Sequence, residues 1–159
     1  MKILIISDSH SRVHNIISAI AAHPDAKYVL FLGDGFSDIL QAQEKFRDKI
    51  FYSVKGNNDF CCDEPYMREI TLENHKILML HGHTAGVKYG WESLIPLAGN
   101  ANADIVLFGH THEKFLSYIP EYGMYLFNPG SIGEGGFDRN SYGILTLDGK
   151  NVLFSHANI

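Results

Sequence analysis

The stretch Val106-Leu107-Phe108 is apolar without a break and runs into Gly109-His110-Thr111-His112, two histidines separated by one residue. An uninterrupted apolar run of this kind is how a strand buried on both faces of a parallel sheet reads; a strand with one wet face would alternate. Three more runs end the same way. Ile3-Leu4-Ile5-Ile6 leads to Asp8-Ser9-His10, Val29-Leu30-Phe31-Leu32 to Gly33-Asp34, and Ile77-Leu78-Met79-Leu80 to His81-Gly82-His83. A fifth run, Ile50-Phe51-Tyr52-Ser53-Val54, arrives at Gly56-Asn57-Asn58-Asp59. In open α/β sheets ligands gather beyond the carboxyl ends of the strands. Strands that all deliver oxygen and nitrogen donors to one edge therefore describe a metal site, with the rest of the chain as its scaffold.

The intervening segments fit an α/β class. Between Arg12 and His23 the apolar residues Val13, Ile16, Ile17 and Ile20 recur at helical spacing, and Pro24 ends the pattern. Ser37 is a candidate N-cap for a second helix carrying Ile39, Leu40 and Phe46. The first third thus reads β-α-β-α-β, a parallel sheet with helical crossovers. Beyond Pro65 the spacing predicts strands over 68–72 and 76–80 joined across Glu73-Asn74-His75, then a helix over 87–100 with Pro96 as kink or boundary. Short strands follow at 105–108, 115–119, 124–127 and 142–147, and Asp148-Gly149 turns the chain into Val152-Leu153-Phe154. That is more strands than one sheet holds comfortably, so two sheets packed face to face with helices outside are expected. No linker, repeat or low-complexity segment interrupts 1–159, and one domain is expected.

Composition narrows the function classes. The net charge is −5 with no lysine or arginine cluster, so the electrostatic footprint of a binder of long nucleic acid is missing. A small diester remains admissible, because metal ions would supply the positive field. Cys61 and Cys62 are adjacent and build no disulfide framework. The amino-terminal apolar run is too short for a signal peptide, and no run reaches membrane-spanning length. A cytoplasmic protein with no membrane partner is the expectation; the sequence leaves a homo-oligomer open.

Each donor window has a bland reading by itself: a turn carboxylate at Asp34, left-handed Gly and Asn in a tight turn at 56–58. Their joint placement is what counts, and five of the nine histidines fall inside these windows. The ordered set Asp8-x-His10, Gly33-Asp34, Gly56-Asn57-Asn58-Asp59, His81-Gly82-His83 and Gly109-His110-Thr111-His112 resembles the calcineurin-like metallophosphoesterase superfamily. Within it the chain is similar to the small single-domain phosphodiesterases of bacteria and archaea, and Asn128-Pro129-Gly130-Ser131 strengthens that narrower match. The resemblance implies a four-layer α-β-β-α sandwich of two mixed sheets flanked by helices. It implies two divalent metal ions, one held by Asp8, His10 and His112 and the other by Asn57, His81 and His110, with Asp34 bridging. Manganese leads in family usage; mixed imidazole and oxygen ligation also suits zinc, iron, cobalt or nickel.

The activity so implied is hydrolysis of a small phosphodiester by a hydroxide bridging the two ions, attacking phosphorus in line. Ser9 and Ser131 are then structural. Asn58 departs from the larger phosphomonoesterases of the superfamily, which carry a histidine there to protonate the leaving alkoxide; an amide cannot do so. His83, beside a ligand, is the candidate for phosphate contact or proton supply, and Asp59 for orienting a ligand or loop. His23, His75 and His156 read as surface or turn residues, and His14 as a solvated helix-face residue. Two alternatives stand. One is a phosphomonoesterase of the same fold. The other is a catalytically silent protein-binding scaffold resembling the phosphoesterase-like subunit of retromer, in which the positions matching Asp34 and Gly56-Asn57 are altered.

Overall fold

The computed structural model describes residues 1–136 and 139–159. Strand β1 (Lys2–Ile6) leads through α1 (Val13–Ala22) to β2 (Tyr28–Phe31), and α2 (Phe36–Lys45) leads to β3 (Ile50–Ser53). A hairpin of β4 (Met67–Leu72) and β5 (His75–Leu80) follows, then α3 (Leu94–Ala101) and β6 (Ile105–Leu107). The chain closes with β7 (Lys114–Ile119), β8 (Met124–Pro129), β9 (Ser141–Asp148) and β10 (Asn151–Asn158). Two five-stranded sheets result, ordered β10-β9-β1-β2-β3 and β4-β5-β6-β8-β7. Both are mixed. In the first, β1, β2 and β3 run parallel while β9 and β10 add antiparallel. In the second, β5, β6 and β8 run parallel between antiparallel β4 and β7.

Side-chain alternation along the strands sorts the interior into layers. Ile3 and Ile5 of β1, Ile77 and Met79 of β5, and Ile105 and Leu107 of β6 meet between the sheets. Leu4 and Ile6 face the other way onto Ile16, Ile20 and Ile39 of α1 and α2. Leu78, Leu80 and Val106 face Leu94 and Ala98 of α3. The order is helix, sheet, sheet, helix, the four-layer sandwich expected from the motif set. Both faces of the central strands are dry, which is why their sequences show no alternation. Each fully buried Ile or Leu contributes roughly 1.5–3 kcal/mol relative to exposure.

Three local expectations are corrected. The helix over 87–100 is shorter: its first half holds a single 3-10 turn, Val87–Tyr89, bounded by positive φ at Gly86 (66°) and Gly90 (144°), and α3 begins at Leu94. Pro96 sits in the first turn of α3, where a missing N–H costs nothing, and marks a start and not a kink. Ser37 lies inside α2, whose N-cap is Gly35 and has no side-chain cap of its own. The turn of the first hairpin is Glu73-Asn74 alone, because His75 already pairs with Leu72.

His75, His23 and His156 also depart from the surface reading. His75 is buried with Nδ1 2.6 Å from Asp104 Oδ2. His23 Nε2 lies 2.9 Å from the Tyr142 hydroxyl. His156 stacks on Phe127 at 4.6 Å, donates to the Asn128 carbonyl at 2.8 Å, and is held below its ordinary pKa by burial. Among the described residues no helix is long and apolar enough to cross a membrane.

Candidate metal centre

The carboxyl ends of β1, β2, β3, β5 and β6 open on one edge of the sandwich, and the loops beyond them are tied together through the main chain. Asp8 N donates to Gly33 O (2.9 Å), Ser9 N to Asp34 O (2.9 Å) and Gly109 N to His81 O (3.0 Å). Ser131 Oγ donates to Asp8 O at 2.7 Å, a structural task, and Asn128 Nδ2 donates to Gly109 O at 2.9 Å. Nine non-glycine residues have positive φ among those described, and five are Asp8 (56°), His10 (42°), Asp34 (59°), His110 (68°) and His112 (62°). L-residues adopt this region sparingly, and when they do in a cluster the site is usually functional. A tight fit accompanies the turns: a Cβ on Gly56 would lie 2.0 Å from Asp34 Oδ1.

Within this frame the donors converge. His112 Nε2 lies 3.2 Å from Asp8 Oδ1 and 3.2 Å from His10 Nε2. His81 Nε2 lies 3.5 Å from Asp34 Oδ2, 3.9 Å from Asp8 Oδ1 and 3.1 Å from Asn57 Oδ1. Among the described His, Cys, Asp and Glu donors, those within 4.8 Å of one another form two groups, Asp8-His10-His112 and Asp8-Asp34-His81. Asp8 is common to both, whereas the motif resemblance makes Asp34 the shared residue. His110 stands outside both groups, its ring edge-on to His81 at 4.9 Å and its main-chain N–H donating to Asp8 Oδ2 at 3.1 Å.

These residues fit a cation. Asp8 is fully buried, its Oδ2 takes the Ser7 hydroxyl, and its Oδ1 has no hydrogen-bond partner. A buried carboxylate oxygen without a donor is costly, and a positive ion among these nitrogens and oxygens is what would satisfy it. His81 Nδ1 faces Leu32 O at 2.7 Å, so Nδ1 carries the proton and Nε2 is left to face Asp8, Asp34 and Asn57. A main-chain carbonyl fixing the tautomer in this way is the usual support of a metal-binding imidazole.

The electrostatics agree. Burial would raise the Asp34 carboxyl, but the His81 contact, its charge and two Asn58 donors outweigh it and hold Asp34 well below the usual carboxylate range. Burial would lower His81, yet the Asp34 contact and the charges of Asp8 and Asp34 raise it. His112 is raised by Asp8. His110 is pushed down to about 4, by burial first and then by the charge of His81 and Lys88, and is neutral at pH 7.

Asn58 and Asp59 act on the frame. Asn58 N and Nδ2 donate to the two Asp34 oxygens at 2.8 and 2.6 Å. Asp59 accepts four main-chain N–H groups: Asp34 and Gly56 on Oδ2 at 2.8 Å, Gly35 and Phe36 on Oδ1 at 2.9 Å. It therefore caps α2 from a distance and locks the Asp34 loop to the Asn57 loop, as a positioning residue. His83 lies with its ring 5.3 Å from His81 and 6.1 Å from His110, its Nδ1 buried without a partner. Burial, then the charge of His81, lowers its pKa.

Asp38 is a residue of the site that no sequence motif marks. Buried at the start of α2, it accepts Ser9 Oγ at 2.6 Å and Ser11 N at 2.9 Å, and so sets the turn between Asp8 and His10. In sequence it reads only as an acid in a helix's first turn. Cys61 and Cys62 are free thiols, the first exposed and the second buried.

The chain is similar to known proteins over nearly its whole length. The model of the calcineurin-like phosphoesterase superfamily domain matches residues 1–150. The chain is 34% identical over 149 residues to the "Probable metallophosphoesterase YsnB" of Bacillus subtilis, covering 93% of this chain and 85% of that one. It is 27% identical over 147 residues to the "Phosphodiesterase MJ0936" of Methanocaldococcus jannaschii, covering 82% and 83%. A predicted phosphoesterase of Streptococcus pneumoniae superposes with TM-score 0.83 at 24% identity, over 99% of this chain and 88% of that one. The fold is also that of Vps29 from Entamoeba histolytica, crystallised with Zn2+: TM-score 0.78 at 21% identity, over 99% and 98%.

Proposed function

We propose that this chain, which belongs to the calcineurin-like phosphoesterase superfamily, is a metal-dependent hydrolase of small phosphodiesters with a dinuclear centre. The observation that carries the reading is the convergence of Asp8, His10 and His112, and of Asp8, Asp34 and His81, around a buried Asp8 oxygen that no hydrogen bond satisfies and that faces His112 Nε2 at 3.2 Å. Asp8, His10 and His112 would hold one divalent ion, Asn57, His81 and His110 the other, with Asp34 between them; manganese is the first choice. The chemistry such a pair supplies is activation of water at neutral pH and neutralisation of charge on the phosphoryl oxygens.

The residues around it have separable tasks. Asn58 holds the Asp34 carboxylate by both oxygens, and Asp59 fixes the loops that carry Asp34 and Asn57. His83, neutral at pH 7 because its pKa is lowered, can donate one N–H to a phosphoryl oxygen but is a poor source of a proton for a leaving alkoxide. With an amide at 58 and a neutral imidazole at 83, diesters with acidic leaving groups are the favoured substrates. The relative named a phosphodiesterase supports the same choice over monoesters. The silent-scaffold alternative has the Vps29 fold behind it, but this chain keeps Asp34, Gly56 and Asn57, positions that the resemblance to the retromer subunit implies are altered in a silent scaffold.

Hydrolysis of an aryl phosphodiester beside the matching monoester, with manganese and with a chelator, tests the proposal. Diester turnover that the chelator abolishes is expected, and faster monoester turnover would reverse the ranking. Asp34→Asn is expected to remove turnover while the protein stays folded. Retention of more than about a tenth of the rate would refute its bridging role, since losing a two-metal clamp costs several kcal/mol.

A further inference from the structure

Beside the donor cluster lies a hollow of about 410 Å³ that His10, Asp34 and Asn58 share with it. Its volume falls in the range of small-molecule sites. Its apolar lining is wet: Phe60 is 86% exposed and Leu40 is 43% exposed, with half-buried Phe36 in the first turn of α2. Exposed apolar side chains scattered singly mean nothing, but these line one cavity that opens on the candidate centre. Charge narrows the occupant further. Among the described residues lining the hollow there is no lysine or arginine, while Asp34, Asp38 and Asp59 all border it. A second phosphate or a pyrophosphate arm would find no lysine or arginine there to pair with.

We propose that this hollow seats one ester arm of the diester, and that the arm is uncharged and flat, an aromatic ring or nucleobase lying on Phe60 and Phe36. The proposal rests on the phosphodiesterase reading and names the substrate class for it. Flat rings stack on aromatic side chains without needing a charged anchor, and the loss of one such platform typically weakens binding about fivefold or more. Phe60, which packs against almost nothing in the protein, gains cover only when the arm is in place.

Two measurements test it. The first needs neither metal nor turnover: amide NMR titration of the metal-free chain with adenosine, with choline and with inorganic phosphate as separate probes. Adenosine is expected to shift the amides of Phe36, Leu40, Phe60 and Cys61, and Phe60→Ala to weaken that binding about fivefold or more. No shift up to about 10 mM adenosine, a regime of very weak binding, would overturn the proposal, as would choline shifting those amides where adenosine does not. The second compares two diesters with the same nitrophenolate leaving group, one retaining a nucleoside and the other a methyl group. The nucleoside ester is expected to show at least about tenfold higher kcat/KM with manganese present, an advantage that shrinks in Phe60→Ala. Equal rates would refute the seat. If neither ester is hydrolysed, the phosphodiesterase reading fails while the titration still decides the seat.

Discussion

Replacing Asp59 with asparagine exchanges one oxygen for an NH2 group and removes a charge. The native carboxylate accepts four N–H groups from Asp34, Gly35, Phe36 and Gly56, all within 2.8–2.9 Å. An amide can accept from one pair only and must turn its own donors toward the other. The bonds to Asp34 and Gly56 are buried, while those to Gly35 and Phe36 are partly open to water. The amide oxygen should therefore stay on the buried pair. Losing charge assistance there and stranding two half-exposed donors costs about 2–4 kcal/mol in all. In a chain of this size each kcal/mol lowers Tm by roughly 2–4 °C. Urea denaturation at constant m, read beside thermal melting, measures the loss, and Asp59→Ala, which strands all four donors, should lose more. Metal affinity should drop in the folded variant too, because the Asp34 and Asn57 loops are no longer locked together. A loss below about 1 kcal/mol with unchanged metal binding would refute the positioning role, since losing charge assistance on the two buried bonds alone costs about that much.

Gly56→Ala drives a methyl group into Asp34 Oδ1 and should abolish metal binding and turnover while leaving the far-UV circular dichroism unchanged; half the wild-type rate would contradict that. Manganese at about a hundred times its Kd should stabilise the fold by roughly 2.7 kcal/mol and raise Tm by about 5–10 °C, with a chelator reversing the gain. Its affinity should fall as pH drops from about 8 to 6, because His81 and His112, both raised, hold their protons more firmly there and must release them to bind; calorimetry in buffers of different ionisation enthalpy would show the released protons, and pH-independent affinity would count against the site. His83→Gln should lower kcat/KM about 10–100-fold equally for acidic and basic leaving groups. A loss that grows with leaving-group pKa would instead make His83 a proton donor.

The strands and the donors at their ends could be read directly, because two-sided burial removes alternation from Ile3–Ile6 and Ile77–Leu80 and leaves the polar windows conspicuous. The short helix could not. Val87, Leu94 and Leu97 keep helical spacing across Gly90, whose backbone angle no periodicity reveals. Asp38 was illegible for another reason. Its partners, Ser9 and the Ser11 amide, lie far away in sequence, and a main-chain amide leaves no residue type to notice. Asp59 stands out in sequence only by its neighbours Gly56, Asn57 and Asn58, because its use as a shared acceptor depends on how closely the loops after β2 and β3 approach. His75, next to a turn, reads as exposed until Asp104 and Gly149 close over it.

The left-handed turns at Asp8, His10, Asp34, His110 and His112 change what a substitution experiment measures. Alanine there loses a donor but keeps a Cβ, which opposes the turn by roughly 1–2 kcal/mol much as the native side chain does. Glycine loses the same donor and also relieves that strain. The gap between the two replacements at one position therefore isolates the share that belongs to chain geometry, and the alanine value is the closer report on ligation.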